Sequence, residues 1–103
     1  MKELNINGKT ITLDDEGYLT DTSMWDEDVA KELAKAEGLE LTDKHLEVLK
    51  FLRNAFEKGE ALTIRKVGKS GIVNIKEFYT LFPKGPLKLS SKLAGLPKPT
   101  SCV

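Results

Sequence analysis

The residue with the most distinctive chemistry in this chain is its single cysteine, Cys102, which is the second-to-last of 103 residues. A free cysteine is usually buried as a small hydrophobic residue. An exposed thiol is prone to oxidation and mixed-disulfide formation, so soluble proteins tend to avoid one unless it is used. The position of Cys102 therefore predicts a thiol that is carried into another molecule. The alternative is a frayed terminus with an incidental cysteine.

The residues before Cys102 predict a flexible C-terminal arm that is partly stiffened by two prolines. Pro97 and Pro99 fix φ near −65° and bias the backbone toward an extended polyproline geometry. At ~3 Å per residue, the seven steps from Gly95 give the thiol a reach of about 20 Å. A stiff arm loses less entropy when it enters a cleft. We therefore expect a globular domain over 1–94, followed by a flexible arm over 95–103.

The surroundings of the thiol indicate a group that can attack or carry a sulfur atom but cannot complete a catalytic cycle alone. No general base stands beside Cys102 in the sequence. The negative charge of the Val103 carboxylate is expected to disfavour the thiolate, and the positive charge of Lys98 to oppose this effect weakly. A basic pocket in a partner would activate the thiol. The only histidine, His45, is interpreted as structural or solvated. Nothing in the sequence predicts a metal site or a bound cofactor.

Charge is distributed unevenly along a chain whose formal net charge is zero. Residues 1–60 contain 8 Lys or Arg and 15 Asp or Glu, whereas residues 61–103 contain 8 Lys or Arg and one acid, Glu77. The basic segment suggests a face for an acidic protein, a nucleic acid or an anionic substrate, or simply a solvated surface. No apolar stretch suits a signal peptide or a membrane span, so a reduced, cytoplasmic protein is expected.

The pattern of apolar and turn residues predicts an N-terminal hairpin followed by helices. Asn7-Gly8 lies between two alternating segments and is a strong hairpin signal, after which Tyr18-Leu19 could add a third short strand. Helices are predicted near 23–37, 42–57, 62–68, 74–82 and 85–93, with Ser23, Thr42 or Asp43, and Asn74 as caps. Two helix faces are predicted to be apolar: Leu46, Leu49, Leu52 and Phe56 in the second, and Ile75, Phe78, Tyr79 and Phe82 in the fourth. Trp25 is interpreted as a core anchor.

The segment from Lys92 to Val103, KLAGLPKPTSCV, resembles the C-terminal signature of the DsrC/TusE family of sulfur-relay carriers, long described as the gamma subunit of dissimilatory sulfite reductase. Further similarities follow in order along the chain: Asn7-Gly8-Lys9, Trp25-Asp26-Glu27 with Val29-Ala30, and Phe82-Pro83-Lys84-Gly85-Pro86. The resemblance implies an α+β fold, in which an N-terminal β-hairpin or meander packs on an array of about five helices and an extended C-terminal arm protrudes.

The resemblance also implies a role for individual residues of the arm. Cys102 matches the family's penultimate cysteine, which accepts sulfur as a persulfide, and Gly95, Pro97, Lys98 and Pro99 form the supporting arm. Dissimilatory members have a second cysteine eleven positions upstream, where this chain has Ser91. An intramolecular disulfide or trisulfide is therefore not available, which favours the single-cysteine, TusE-like branch. Ser101 stands where the family usually has glycine.

Carriers of that branch take a persulfide from a TusBCD (DsrEFH-like) complex and pass it to the thiouridylase that makes 2-thiouridine in tRNA. A persulfide carrier of the sulfurtransferase type is therefore expected here, rather than a self-sufficient enzyme. Three alternatives remain: a DsrC-like partner of dissimilatory sulfite reductase, a subunit or regulator of a redox complex that carries no sulfur, and a helix-turn-helix-like DNA-binding regulator. The last would use Arg65, Lys66, Lys69 and Lys76 near phosphate.

Overall fold

A two-stranded hairpin and five helices make up the fold in a computed structural model that describes residues 1–99. The elements follow the chain in this order: β1 (Lys2–Ile6), β2 (Lys9–Leu13), α1 (Glu27–Ala36), α2 (Asp43–Glu57), α3 (Ile64–Gly68), α4 (Ile75–Leu81) and α5 (Pro86–Leu93). This architecture confirms the predicted α+β class and the predicted number of helices.

The hairpin closes at Asn7-Gly8, as predicted. Both residues have positive φ, 52° and 79°, which is the requirement of the two-residue turn that matches strand twist. The strands are antiparallel, with Lys2 opposite Leu13 and Ile6 opposite Lys9. The predicted third strand is reduced to one isolated bridge between Leu13 and Leu19.

The start of α1 differs from the prediction. Ser23 does not cap the helix, because Thr22–Met24 forms a separate 3-10 turn that is capped by the Asp21 carboxylate. Trp25 is extended, and α1 then begins at an Asp26 cap, whose carboxylate accepts a 2.8 Å hydrogen bond from the Val29 amide. The Lys9 ammonium and the Val29 amide hold the pKa of Asp26 below its usual value. The N-cap of the first helix therefore lies three residues later than predicted, at Asp26 instead of Ser23.

The other helix starts agree with local capping chemistry. Thr42 caps α2 and Asn74 caps α4, each in a reciprocal capping box. Thr63 caps α3. Pro86 occupies the first position of α5 after Gly85, whose φ is 93°.

The core lies between the inner face of the hairpin and the five helices. Its largest fully buried side chains include Phe78, Phe82, Leu49, Leu52 and Leu87. Three residues predicted to lie on apolar faces are instead exposed: Phe56 by 39%, Ile75 by 46% and Tyr79 by 47%. Helical spacing places each of these side chains on the apolar face of its own helix, Phe56 in α2 and the other two in α4. The rest of the fold covers only part of each face.

Candidate functional site at the base of the arm

The chain leaves α5 through a Schellman motif that fixes the first residues of the predicted arm. The Leu96 amide donates to the Ser91 carbonyl at 3.0 Å, and the Gly95 amide donates to the Lys92 carbonyl at 3.2 Å. Gly95 supplies the left-handed backbone that this motif requires, with φ of 70°. Leu96 is 1% exposed and belongs to the hydrophobic core. The chain is thus held by the globule as far as Leu96.

Trp25 packs directly against this exit from α5. The Trp25 indole nitrogen donates to the Leu93 carbonyl at 2.8 Å. A Cβ atom at Gly95 would lie only 2.6 to 2.9 Å from three atoms of the Trp25 side chain. Glycine at position 95 is therefore required both by its backbone conformation and by the close approach of the indole. Trp25 is half-buried and packs on the core, which agrees with its interpretation as an anchor.

Arg53 of α2 contacts both the exit from α5 and the Trp25 ring. Its guanidinium donates to the Ala94 carbonyl at 2.8 Å and to the Thr22 carbonyl at 3.0 Å. The guanidinium carbon lies 4.6 Å from the centre of the Trp25 ring, a cation-π distance. Burial lowers the pKa of Arg53, and Glu57 opposes this shift. The carbonyl groups at the C-terminal end of α5 are thereby satisfied by charged and aromatic side chains distant in sequence.

Ser91, where dissimilatory members of the resembled family have a second cysteine, is fully buried in α5. Its backbone carbonyl is the one that receives the Leu96 amide. Its side-chain hydroxyl has no hydrogen-bond partner within residues 1–99. Position 91 therefore lies directly under the base of the arm, and its hydroxyl contributes no hydrogen bond to the described part of the structure.

The next three residues of the arm follow the surface of the globule. Pro97 and Lys98 are exposed and Pro99 is half-buried. The Lys98 ammonium lies 2.9 Å from a carboxylate oxygen of Glu16, in the turn after β2. Pro97, Lys98 and Pro99 also border a cavity of about 250 Å³ together with the chain around Phe56 and Leu62. This segment therefore contacts two parts of the surface.

Cys102 itself lies outside the described residues, as do Thr100, Ser101 and Val103. The structure places Ser91, Gly95, Pro97, Lys98 and Pro99 together at the base of the predicted arm. Sequence reasoning missed the contacts of this base with Trp25, Arg53 and Glu16. A signal for the base was present, because a glycine followed by an apolar residue at the end of a helix is typical of a Schellman motif.

His45 has a structural role, as interpreted from the sequence. Its Nδ1 atom accepts from the Thr42 amide at 3.1 Å, which leaves Nε2 to donate to the Leu81 carbonyl at 2.8 Å. Its ring also lies edge-on to Phe82, at 5.0 Å between ring centres. Within residues 1–99, no group of three or more His, Cys, Asp or Glu residues could hold a metal ion.

Comparison with known proteins identifies the family. A family model described as DsrC-like protein matches residues 5–103. This chain belongs to the DsrC family. Within it, the chain is 41% identical to the sulfurtransferase TusE of Pectobacterium atrosepticum, over 97% of this chain and 99% of that protein. It is 40% identical to the sulfurtransferase TusE of Escherichia coli K12, with the same coverage.

Solved structures of DsrC share the fold as well as the sequence. The crystal structure of the oxidized gamma-subunit of the dissimilatory sulfite reductase (DsrC) from Archaeoglobus fulgidus is 40% identical, with a TM-score of 0.84 over 99% of this chain and 100% of that one. The NMR structure of Allochromatium vinosum DsrC is also 40% identical, with a TM-score of 0.83 over 98% and 97% of the two chains. The family predicted from the arm motif is confirmed.

The DNA-binding alternative finds no support among these relatives. The helices that would form the motif are short, with five residues in α3 and seven in α4. Lys66, one of the proposed phosphate contacts, is paired with Glu60 at 3.0 Å.

None of the helices within residues 1–99 has the length and apolar character of a membrane span.

Proposed function

We propose that this chain is a sulfur-relay carrier that accepts a persulfide on Cys102 and passes the outer sulfur to a partner, for synthesis of 2-thiouridine in tRNA. The observation that carries this proposal is the full-length similarity to TusE sulfurtransferases. The single cysteine, which stands in the matching motif, supports it. The base of the arm supports it, because Trp25 and Arg53 hold the C-terminal end of α5, after which the arm begins.

The proposed chemistry is two successive thiol exchanges. The Cys102 thiolate attacks the outer sulfur of the donor's persulfide, a new S–S bond forms, and the donor cysteine leaves as a thiolate. The acceptor's thiolate then attacks the outer sulfur on Cys102, which releases the Cys102 thiolate. Sulfur is neither oxidised nor reduced overall, so the relay needs no external oxidant and no bound cofactor.

The proposed partners are a donor and an acceptor that each contain a reactive cysteine. The donor would be a relay complex of the TusBCD or DsrEFH type, and the acceptor a tRNA thiouridylase, both in the cytoplasm. Sulfite reductase is the second candidate acceptor, because the similar solved chain from Archaeoglobus fulgidus is named as a subunit of that enzyme. Ser91 favours the first acceptor, because one cysteine can carry a persulfide but cannot close an intramolecular disulfide.

The proposal is tested by loading the purified chain with sulfur. Incubation with a cysteine desulfurase, cysteine and the relay proteins is expected to add ~32 Da, one sulfur atom, to the intact mass. Peptide mapping should place the added mass on the peptide that contains Cys102. As a positive control, the same donor should load a relay protein that is known to accept its sulfur. The proposal is overturned if that protein gains mass and this chain does not.

Introducing Ser91→Cys is expected to create a disulfide with Cys102. Oxidation of the wild-type chain should give only a reducible dimer or a small-thiol adduct, whereas the variant should give a monomer two mass units lighter. The substitution should leave the fold intact, because the hydroxyl that it removes has no partner within residues 1–99. Ring closure requires a Cα–Cα separation of about 4.4–6.8 Å. A folded variant that never closes the ring would show that the arm does not fold back over α5.

A further inference from the structure

A cavity of about 510 Å³ beside the arm has no assigned role. It lies between the turn after β2, the C-terminal end of α1 and the outer face of α5, and the arm itself forms part of its wall through Lys98. We call it the lysine cavity after the residues that give it its charge, which are Lys84, Lys88, Lys92 and Lys98.

The lysine cavity has an excess of positive charge. Among residues 1–99, the lining of the cavity includes four lysines and two acidic residues, Glu16 and Glu37. Lys98 pairs with Glu16 at 2.9 Å, and Lys92 approaches Glu37 at 3.7 Å. Lys84 and Lys88 form no ion pair with any residue in the described part of the chain. The cavity therefore attracts an anionic group.

The rest of the lining indicates a protein segment as the occupant. Leu39, Leu89 and Pro83 contribute apolar surface beside the lysines. The Tyr18 ring is 4% exposed and has the Lys92 ammonium 5.4 Å from its centre, so it offers no free face on which a nucleic-acid base could stack. Lysines and apolar side chains in a concave site together suit an acidic side chain flanked by apolar residues.

An ion pair between Glu16 and Lys98 connects the same cavity to the arm. The Glu16–Lys98 pair links the arm at Lys98 to the turn after β2, and both side chains are about half exposed. Exposed pairs of this kind are weak, and an incoming carboxylate can replace one partner. A carboxylate that enters the cavity would compete with Glu16 for the Lys98 ammonium.

We propose that the lysine cavity docks an acidic, partly apolar segment of the protein that exchanges sulfur with this chain, and that docking displaces Glu16 from Lys98 and so releases this residue of the arm from the turn after β2. The inference rests on the proposed relay function. It adds a recognition surface separate from the thiol, and it makes release of the arm depend on the presence of the partner.

Charge reversal at Lys84 and Lys88 tests the docking surface. The double variant K84E/K88E is expected to bind the TusBCD-type donor complex at least tenfold more weakly in titrations at low salt. The matched control is K31E/K76E, which changes the charge equally at exposed positions outside the cavity and should bind within twofold of the wild type. Equal weakening by both variants, or by neither, would overturn the assignment of the cavity.

Two carboxylate variants test the release of the arm. E16Q and E37Q each remove one negative charge from the lining, but Glu16 pairs with Lys98 of the arm whereas Glu37 pairs with Lys92 of α5. Both are expected to bind the donor complex a few times more tightly, and only E16Q should also react faster at Cys102 with glutathione persulfide when no partner is present, because its ion pair between position 16 and Lys98 is already lost. Equal rates of reaction with glutathione persulfide for E16Q and E37Q would overturn the coupling of docking to arm release.

Two further measurements separate this inference from its alternatives. Loading of Cys102 by a small-molecule persulfide, such as glutathione persulfide, should be the same in the wild type and in K84E/K88E. Failure of the wild type to load would refute the relay function itself, independently of the cavity. Loss of tRNA binding by K84E/K88E with unchanged binding of the donor complex would make the cavity an RNA-binding surface and overturn the proposal.

Discussion

Replacing Cys102 with serine is expected to abolish sulfur loading and transfer while the globule remains folded. A serine hydroxyl is not ionised at neutral pH and forms no persulfide, so the gain of ~32 Da should disappear completely. Cys102 lies six residues beyond Leu96, the last residue that is fully buried in the described part of the chain. The thermal unfolding midpoint of Cys102→Ser should therefore equal that of the wild type.

The matched control for this experiment is Ser101→Ala, which alters the neighbouring side chain and keeps the thiol. It should load and transfer sulfur as the wild type does. Sulfur that still accumulates on Cys102→Ser in intact-mass measurements would contradict the carrier mechanism, because Cys102 is the only cysteine in the chain.

Replacing Gly95 with alanine is expected to cause a larger loss of stability than the same change at Gly38. Both glycines follow a helix in a Schellman motif, with φ of 70° and 73°. A left-handed backbone costs an alanine about 1–2 kcal/mol at either position. Only at Gly95 would the new Cβ also overlap the Trp25 side chain, whereas nothing lies within 4 Å at Gly38. Overpacking of this kind adds about 1–3 kcal/mol.

Denaturant unfolding and tryptophan fluorescence measure the two parts of this effect. Trp25 is the only tryptophan, so its emission reports directly on the base of the arm. The native emission spectrum should change in Gly95→Ala and stay the same in Gly38→Ala. Equal losses of unfolding free energy in the two variants would show that the contact between Gly95 and Trp25 does not position the arm.

The fold was predictable from the sequence where the determining interactions are local. The hairpin turn at Asn7-Gly8 and the caps at Thr42 and Asn74 depend on residues within three or four positions of each other. The start of α1 was not predictable, because Asp21, Ser23 and Asp26 are all suitable caps. Two of them are used for the 3-10 turn, in which the Ser23 hydroxyl and amide both donate to the Asp21 carboxylate.

The candidate site was predictable only in part, for a different physical reason. Cys102 and the prolines of the arm stand out by residue type, and the arm motif identified the family. The contacts that hold the base of the arm join residues far apart in sequence: 68 positions separate Trp25 from Leu93, and 41 separate Arg53 from Ala94. Such pairings depend on how the helices pack, and helical periodicity does not encode them. For the same reason, the exposure of Phe56 and Tyr79 was not predictable.

The burial of Leu96 has a consequence for the effective concentration of the thiol. A fixed attachment point confines Cys102 to a volume with a radius of about 18 Å, six residues at ~3 Å each. A short tether of this kind presents its end group to a bound partner at a local concentration on the order of millimolar. For a relay protein at micromolar concentration in solution, the local concentration of its thiol near the cysteine of a bound partner would then be about a thousand times higher than in the bulk solution. Sulfur could pass between two dilute proteins without being released into the solvent.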